Sequence, residues 1–194
     1  MKVLLGKKIG MTQVFKNNQV IPVTLIQAGP CRVLEVKTKE KDGYQALQLG
    51  FEDVKRSLKS QKGKEVRYIR EFRKEGTLPK QGGVLDVTVF EEGEEVTVSG
   101  ITKGKGFQGG VKRHGFAGRD ATHGTKHEER TLGSVGSQQP QRVTKGRKMP
   151  GRMGADRVTI VGLKVVSVDA TKHILALKGA VPGAPGTLLE IRTR

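Results

Sequence analysis

The sequence predicts a mainly β protein with minor α content: a small closed β-barrel with a short helical insertion and a long basic extended loop. Three observations carry this reading. Short Val-, Ile- and Leu-rich segments, punctuated by turn residues, occupy both ends of the chain. There is no Trp, and Phe and Tyr together number eight, so aliphatic side chains must build the core. Between the two β-rich regions, Ile101 to Arg157 carries thirteen Lys and Arg against four Asp and Glu, with twelve glycines and no 3.6- or 2-residue hydrophobic period.

The elements follow in chain order. Val3 to Val36 reads as strands, in VLLGKKIGMTQVF, QVIPVTLIQAG and CRVLEVKT, broken at Asn17-Asn18 and Gly29-Pro30. A Lys41-Asp42-Gly43 turn leads into the alternating segment Tyr44 to Phe51. Short strands joined by such turns suggest an antiparallel sheet that curls or closes. Lys55 to Gly76 is highly charged, and Val66, Ile69 and Phe72 recur at i, i+3 and i+6. That spacing predicts a helix over Glu65 to Lys74, inside an insertion spanning about 55–80. Val84 to Ser99 returns to β in LDVTVF and EVTVSG, and Glu91, Glu92, Glu94 and Glu95 in the turn between them read as solvated charge. Beyond Arg157 come VTIVGLKVVSVD, HILALKGAV and TLLEIRTR, with a Pro/Gly loop at Ala180 to Gly186. The expected organisation is a globular barrel from residues 1–100 and 158–194. Residues 101–157 are inserted between two of its strands as an extension rather than a domain.

The 194 residues carry a net charge of +17, and the basic segment supplies +9 of it. A segment so polar cannot bury enough apolar surface to offset its ordering entropy, so a polyanion is the expected ordering partner. A membrane fits less well. No basic amphipathic helix of useful length is present, no run approaches the roughly 18 apolar residues of a span, and MKVLLGKKIGM is too short in apolar core for a signal peptide. The single Cys31 reads as a buried small hydrophobe, and a chain with one cysteine suits a reducing cytoplasm.

Gly104 to Val111 fits G-x-G-x-x-G-x-V. A kinase would add V-A-I-K, H-R-D and D-F-G, and the chain has none of them. A dinucleotide site needs a βαβ unit, yet Lys112-Arg113-His114-Gly115 stands where its helix should run. What survives is simpler: glycines let backbone amides approach phosphates, and nearby cations add charge. The expected RNA contacts are Lys103, Lys105, Lys112, Arg113, Arg119, Lys126, Arg130, Arg142, Lys145, Arg147, Lys148, Arg152 and Arg157. His114, His123 and His127 join them, stacking on bases or donating to phosphate. His123 and His127 share an H-x3-H spacing, but the segment has no Cys to complete a zinc site, so neither metal nor cofactor is expected. No acid/base or nucleophile constellation supports catalysis, and no small-molecule substrate is implied. TKGRKMPGRMG, from Thr144 to Gly154, suits an extended arm in a groove.

KGKGFQGGVKRHGF, ATHGTKH, LGSVG, RVTKGRKMPGRMG and KGAVPG, preceded by LGKKIGMTQVF and AGPC, resemble in order and spacing the universal large-subunit ribosomal protein family three, bacterial form. The resemblance covers almost the whole chain. It implies a translation-factor-like barrel with a helical insertion and a long two-stranded extension. It also implies early binding to large-subunit ribosomal RNA, residence in the cytoplasmic ribosome, and an extension reaching toward the peptidyl transferase centre. The tip would comprise Ser134, Gly136, Ser137, Gln138, Gln139 and Pro140, with Gln138 or Gln139 matching a glutamine that is N5-methylated in some bacteria. Large-subunit proteins fourteen and nineteen are the implied neighbours. Glu128-Glu129 departs from the family, standing where a more basic or aromatic pair is usual. The alternative function is a free RNA chaperone or RNA-processing accessory factor.

Overall fold

The computed structural model describes residues 2–16, 18–54, 63–73, 76 and 79–193. It divides into two compact units, Met1–Ile101 with Arg157–Arg194, and Thr102–Asp156. In chain order the elements are β1 (Val3–Lys16), β2 (Gln19–Ala28), β3 (Cys31–Lys37), α1 (Lys39–Asp42), β4 (Ala46–Asp53), β5 (Val66–Arg73), β6 (Val84–Leu85), β7 (Glu95–Ile101), β8 (Phe107–Gln108), α2 (Gly110–His114), β9 (Gly151–Arg152), β10 (Arg157–Asp169), β11 (Ile174–Lys178) and β12 (Leu188–Thr193).

In the first unit six strands close into a ring in the order β1-β12-β7-β10-β11-β2, and β2 pairs back onto β1. Every pairing is antiparallel. Closure leaves no free sheet edge along the paired residues. Register shifts between Lys8 and Gly10 on β1, and between Ile160 and Leu163 on β10, insert the extra residues that let long strands curl. A second antiparallel sheet, in the order β5-β4-β3-β6, shares one apolar core with the ring. Leu4, Ile26, Val98, Leu175, Leu189 and Ile191 from the ring belong to the same buried cluster as Val33, Leu47, Leu49 and Phe51 from the second sheet.

Cys31 and Lys8 are among the polar residues buried in this unit, beside Thr24, Thr97 and Ser99. Cys31 is fully buried. Its Sγ lies 3.4 Å from both the amide and the carbonyl of Leu5, and burial pushes its thiol pKa up to about 12. Lys8, largely buried, donates from Nζ to the carbonyls of Val181 (2.9 Å) and Gly183 (3.1 Å). Its backbone accepts from Gly186 and donates to Thr187, so one residue of β1 holds the Pro/Gly loop of the sequence.

Three sequence expectations are corrected. Val66–Arg73 is a strand paired with β4, not the helix expected over Glu65 to Lys74 inside a helical insertion at 55–80. Val66, Ile69 and Phe72 fit a helical stripe, but Val66, Tyr68 and Phe72 also fit one face of a strand, and pairing with β4 decides between them. Residues 55–62, 74–75 and 77–78 of that insertion lie outside the described residues. The LDVTVF segment yields only β6, followed by a single 3-10 turn at Val87–Val89. Lys39–Asp42 is one turn of helix where a simple turn was expected.

Gly6 sits where β1 is paired on both sides, opposite Leu189 and Ala28. A Cβ there would lie 2.7 Å from Ile26 Cγ2 and 2.9 Å from the Gln27 carbonyl oxygen. Gly6→Ala should therefore destabilise by about 1–3 kcal/mol, seen as a lowered urea midpoint with unchanged m-value. Gly10→Ala, with open space around its Cβ, should leave the midpoint almost unmoved. Cys31 should be inert to a thiol reagent in the native protein and react fully in denaturant, and rapid native labelling would contradict its burial.

Candidate nucleic-acid interface

The second unit is held by backbone bonds and a few side chains rather than by a core. Gly110 is its one buried residue. Its outgoing and returning limbs run side by side. The Thr102 amide donates to Asp156 (2.9 Å), Lys105 to Met153 (2.9 Å) and Met153 to Gly106 (3.0 Å). Beyond these, β8 pairs antiparallel with β9, Phe107 opposite Arg152. At Gly154, φ is +75° and a Cβ would sit 2.1 Å from the Lys103 carbonyl oxygen, so the limbs can approach only at glycine.

α2 follows at Gly110–His114 and is closed by Gly115 in the left-handed region. This single helical turn stands where the sequence reading placed none. It opens no dinucleotide site, because the two-residue β8 before it pairs antiparallel with β9 instead of entering a parallel sheet. From α2, Arg113 Nη1 donates to the Met149 carbonyl (2.7 Å), and His114 Nε2 lies 3.1 Å from the same oxygen. The His114 ring packs beside Phe116, centroids 5.7 Å apart. Farther along, the Arg119 amide donates to the Glu129 carbonyl, while its guanidinium pairs with Glu128. Arg147 Nη2 donates to the Ser134 carbonyl (2.7 Å), tying the returning limb to the tip. Within the tip, Ser134 Oγ donates to the Gly136 carbonyl (2.9 Å) and Ser137 Oγ to that of Gln139 (2.5 Å). Gln138, Gln139 and Pro140 are exposed.

The electrostatics are one-sided. Of twelve Lys and Arg in this unit, eleven are exposed and Arg113 is half-buried. The ion pair among them is Arg119 with Glu128. Lys103 and Lys105 lie on the outgoing limb, Lys112 on α2, and Lys126 and Arg130 on the loop before the tip. Arg142, Lys145, Lys148 and Arg152 lie on the return. His123 and His127 are exposed on the same loop as Lys126, and no three potential metal ligands gather among the described residues. Arg157 opens β10 in the first unit, where it pairs with Glu190. Sequence reasoning did not foresee that Arg113, His114 and Arg147 brace carbonyls. An arginine reaching a carbonyl 36 residues away leaves no local signature.

A family model described as Ribosomal protein L3 matches residues 78–182. The large ribosomal subunit protein uL3 of Thermotoga petrophila is 49% identical, over 100% of this chain and 97% of its own. The uL3 of Desulfitobacterium hafniense is 50% identical over 98% of this chain and 95% of its own, and that of Heliobacterium modesticaldum 50% over 99% and 96%. The chain belongs to the ribosomal protein L3 family. In this L3-family chain the model match contains the whole second unit together with β7, β10 and β11. The resemblance first carried by the glycine-rich motifs is thus confirmed along the full length of the chain.

Removing the Arg113 brace should loosen the second unit and leave the first intact. A charged hydrogen bond at a half-buried site contributes about 1 kcal/mol, so Arg113→Ala should speed trypsin cleavage between Lys103 and Arg152 by about fivefold. The denaturant midpoint of the first unit should not change. Unaltered cleavage would show that the Met149 contact contributes nothing to holding the limbs.

Proposed function

We propose that this chain is a structural constituent of the large ribosomal subunit, resident in the cytoplasmic ribosome, and that its second unit binds large-subunit ribosomal RNA. The observation that carries the reading is the display of eleven exposed cations by a unit with one buried residue. Such a unit has no core to offset its self-repulsion, and a polyanion supplies the missing attraction. Near full-length similarity to proteins named as large-subunit uL3 supports the ribosome as the place where that polyanion is met. The family is one of ribosomal proteins, not enzymes.

In this reading Lys103, Lys105, Lys112, Lys126, Arg130, Arg142, Lys145, Lys148 and Arg152 meet phosphates, and Arg119 and Arg157 do so while keeping their carboxylate partners. His123 and His127 reach bases or phosphates from the exposed loop. Arg113, His114 and Arg147 give the backbone its shape, and their remaining donors face RNA. Residues 102–156 act as the extension, and the six-stranded ring is a barrel of the translation-factor kind. Binding occurs early in assembly, and the tip, Ser134 to Pro140, reaches toward the peptidyl transferase centre. Its side chains are uncharged, which suits close approach to crowded RNA where a misplaced charge costs desolvation energy. Gln138 or Gln139 is the candidate for N5-methylation, and large-subunit proteins fourteen and nineteen are the candidate neighbours.

Binding to large-subunit RNA should be steeply salt-dependent. Each phosphate contact contributes about −0.7 to −0.9 to the log–log slope, so about ten contacts give roughly −7 to −9. A slope no steeper than about −2 would defeat the polyanion reading. Lys145, Lys148 and Arg152 changed together to Ala should weaken binding and lower the yield of large subunits on a gradient. Gln138 and Gln139 changed to Ala should leave the yield near normal and instead alter peptide-bond formation on purified particles. If the glutamine variant blocks assembly as severely as the cation variant, the tip is an anchor. A native protein sedimenting mainly free of the large subunit would favour the chaperone alternative.

A further inference from the structure

The second unit does not hold all the cations that lack a purpose in the fold. On the first unit, Arg73, Arg157 and Arg192 line a recess of about 130 Å³ together with Ser99, Glu71 and Glu190. The charges there do not balance. Glu190, from β12, accepts from Arg70 Nε of β5 (3.1 Å) and also pairs with Arg157 of β10. Glu71 is taken by Lys37 at 2.9 Å, and that lysine holds its carboxyl below the usual carboxylate range. Five cations therefore meet two carboxylates, a surplus of three. Arg73 rests over the Tyr44 ring, 5.0 Å from its centroid, and Arg192 has no carboxylate within ion-pair distance among the described residues. Both are exposed. The Ser99 hydroxyl, bonded to Thr159 Oγ1 at 2.8 Å, supplies a polar wall.

We propose that this recess is a second anion site, binding the phosphodiester backbone of RNA through Arg73 and Arg192. The proposal rests on the reading of the chain as a ribosomal RNA binder. The arrangement suits phosphate rather than protein carboxylate. The two acidic groups present are already ion-paired, and the uncommitted donors are guanidinium forks, whose planar geometry matches phosphate oxygens. Arg73 is also held against its aromatic ring, and Arg192 rises from a strand paired on both sides, opposite Val3 and Thr97. Pre-placed guanidinium groups lose less entropy on binding than free side chains do.

The test uses the full chain and purified large-subunit ribosomal RNA, with affinity measured across a salt series. Arg73→Gln with Arg192→Gln should make the log–log slope shallower by about 1.4 to 1.8, two phosphate contacts. Lys39→Gln with Lys178→Gln removes the same charge from exposed positions elsewhere and should leave the slope within error of the native chain. Equal slopes for the arginine pair and this control would overturn the proposal. A native slope no steeper than about −2 would instead defeat the ribosomal RNA reading itself, so the two failures are distinguishable. A second measurement needs no variant. An arginine-selective dicarbonyl should modify Arg73 and Arg192 in the free protein and lose access to both when RNA is bound. Unchanged modification of both residues in the complex would overturn the proposal whatever the variants do.

Discussion

The register between β7 and β10 places Ile101 opposite Arg157, and the rest of the chain's behaviour depends on that pairing. Fifty-five residues leave one strand of a closed ring and return to its neighbour. Bringing together the ends of so long an excursion carries a large entropic cost in an open chain, although that cost grows only slowly with length. Here the ring meets it in advance, because both strands are fixed by their other neighbours, β12 and β11. The basic unit can therefore be long and almost coreless without loosening the fold that carries it.

The same economy explains how the two units differ. The first concentrates Val, Ile and Leu in a single cluster shared by its two sheets, and gives its buried lysine partners, Lys8 donating to the Val181 and Gly183 carbonyls. The second replaces burial with bonds that span its limbs. Backbone pairs run from Thr102 to Asp156 and from Lys105 to Met153, and Arg113 and Arg147 reach carbonyls on the returning limb and at the tip. A scaffold braced in this way leaves the other cations outward. It presents charge in a defined arrangement, whereas a disordered basic tail would have to order on its partner at greater entropic cost.

Much of this was legible in the sequence, for reasons that differ by region. The ring strands could be read because β-branched runs broken by Gly, Pro and Asn have few other solutions. The basic unit could be read because its composition excludes a core. Val66–Arg73 was misread because a short, charged segment with apolar residues at 66, 69 and 72 satisfies both periods, and only its partner strand decides. α2 was missed because glycine at both ends hides a single helical turn that is closed by Gly115. The brace from Arg113 to Met149, and the surplus of guanidinium groups around Glu190, arise from contacts distant in sequence, which no local pattern encodes.

The central claim is that the unit between Thr102 and Asp156 is the principal RNA-binding element of this chain. Ultraviolet cross-linking of intact large subunits, followed by identification of RNA-bound peptides, tests it most directly. The account predicts that most cross-linked peptides come from residues 103–157, on both limbs and at the tip. Cross-links confined to residues 1–100 and 158–194, with the basic unit unmodified, would contradict it.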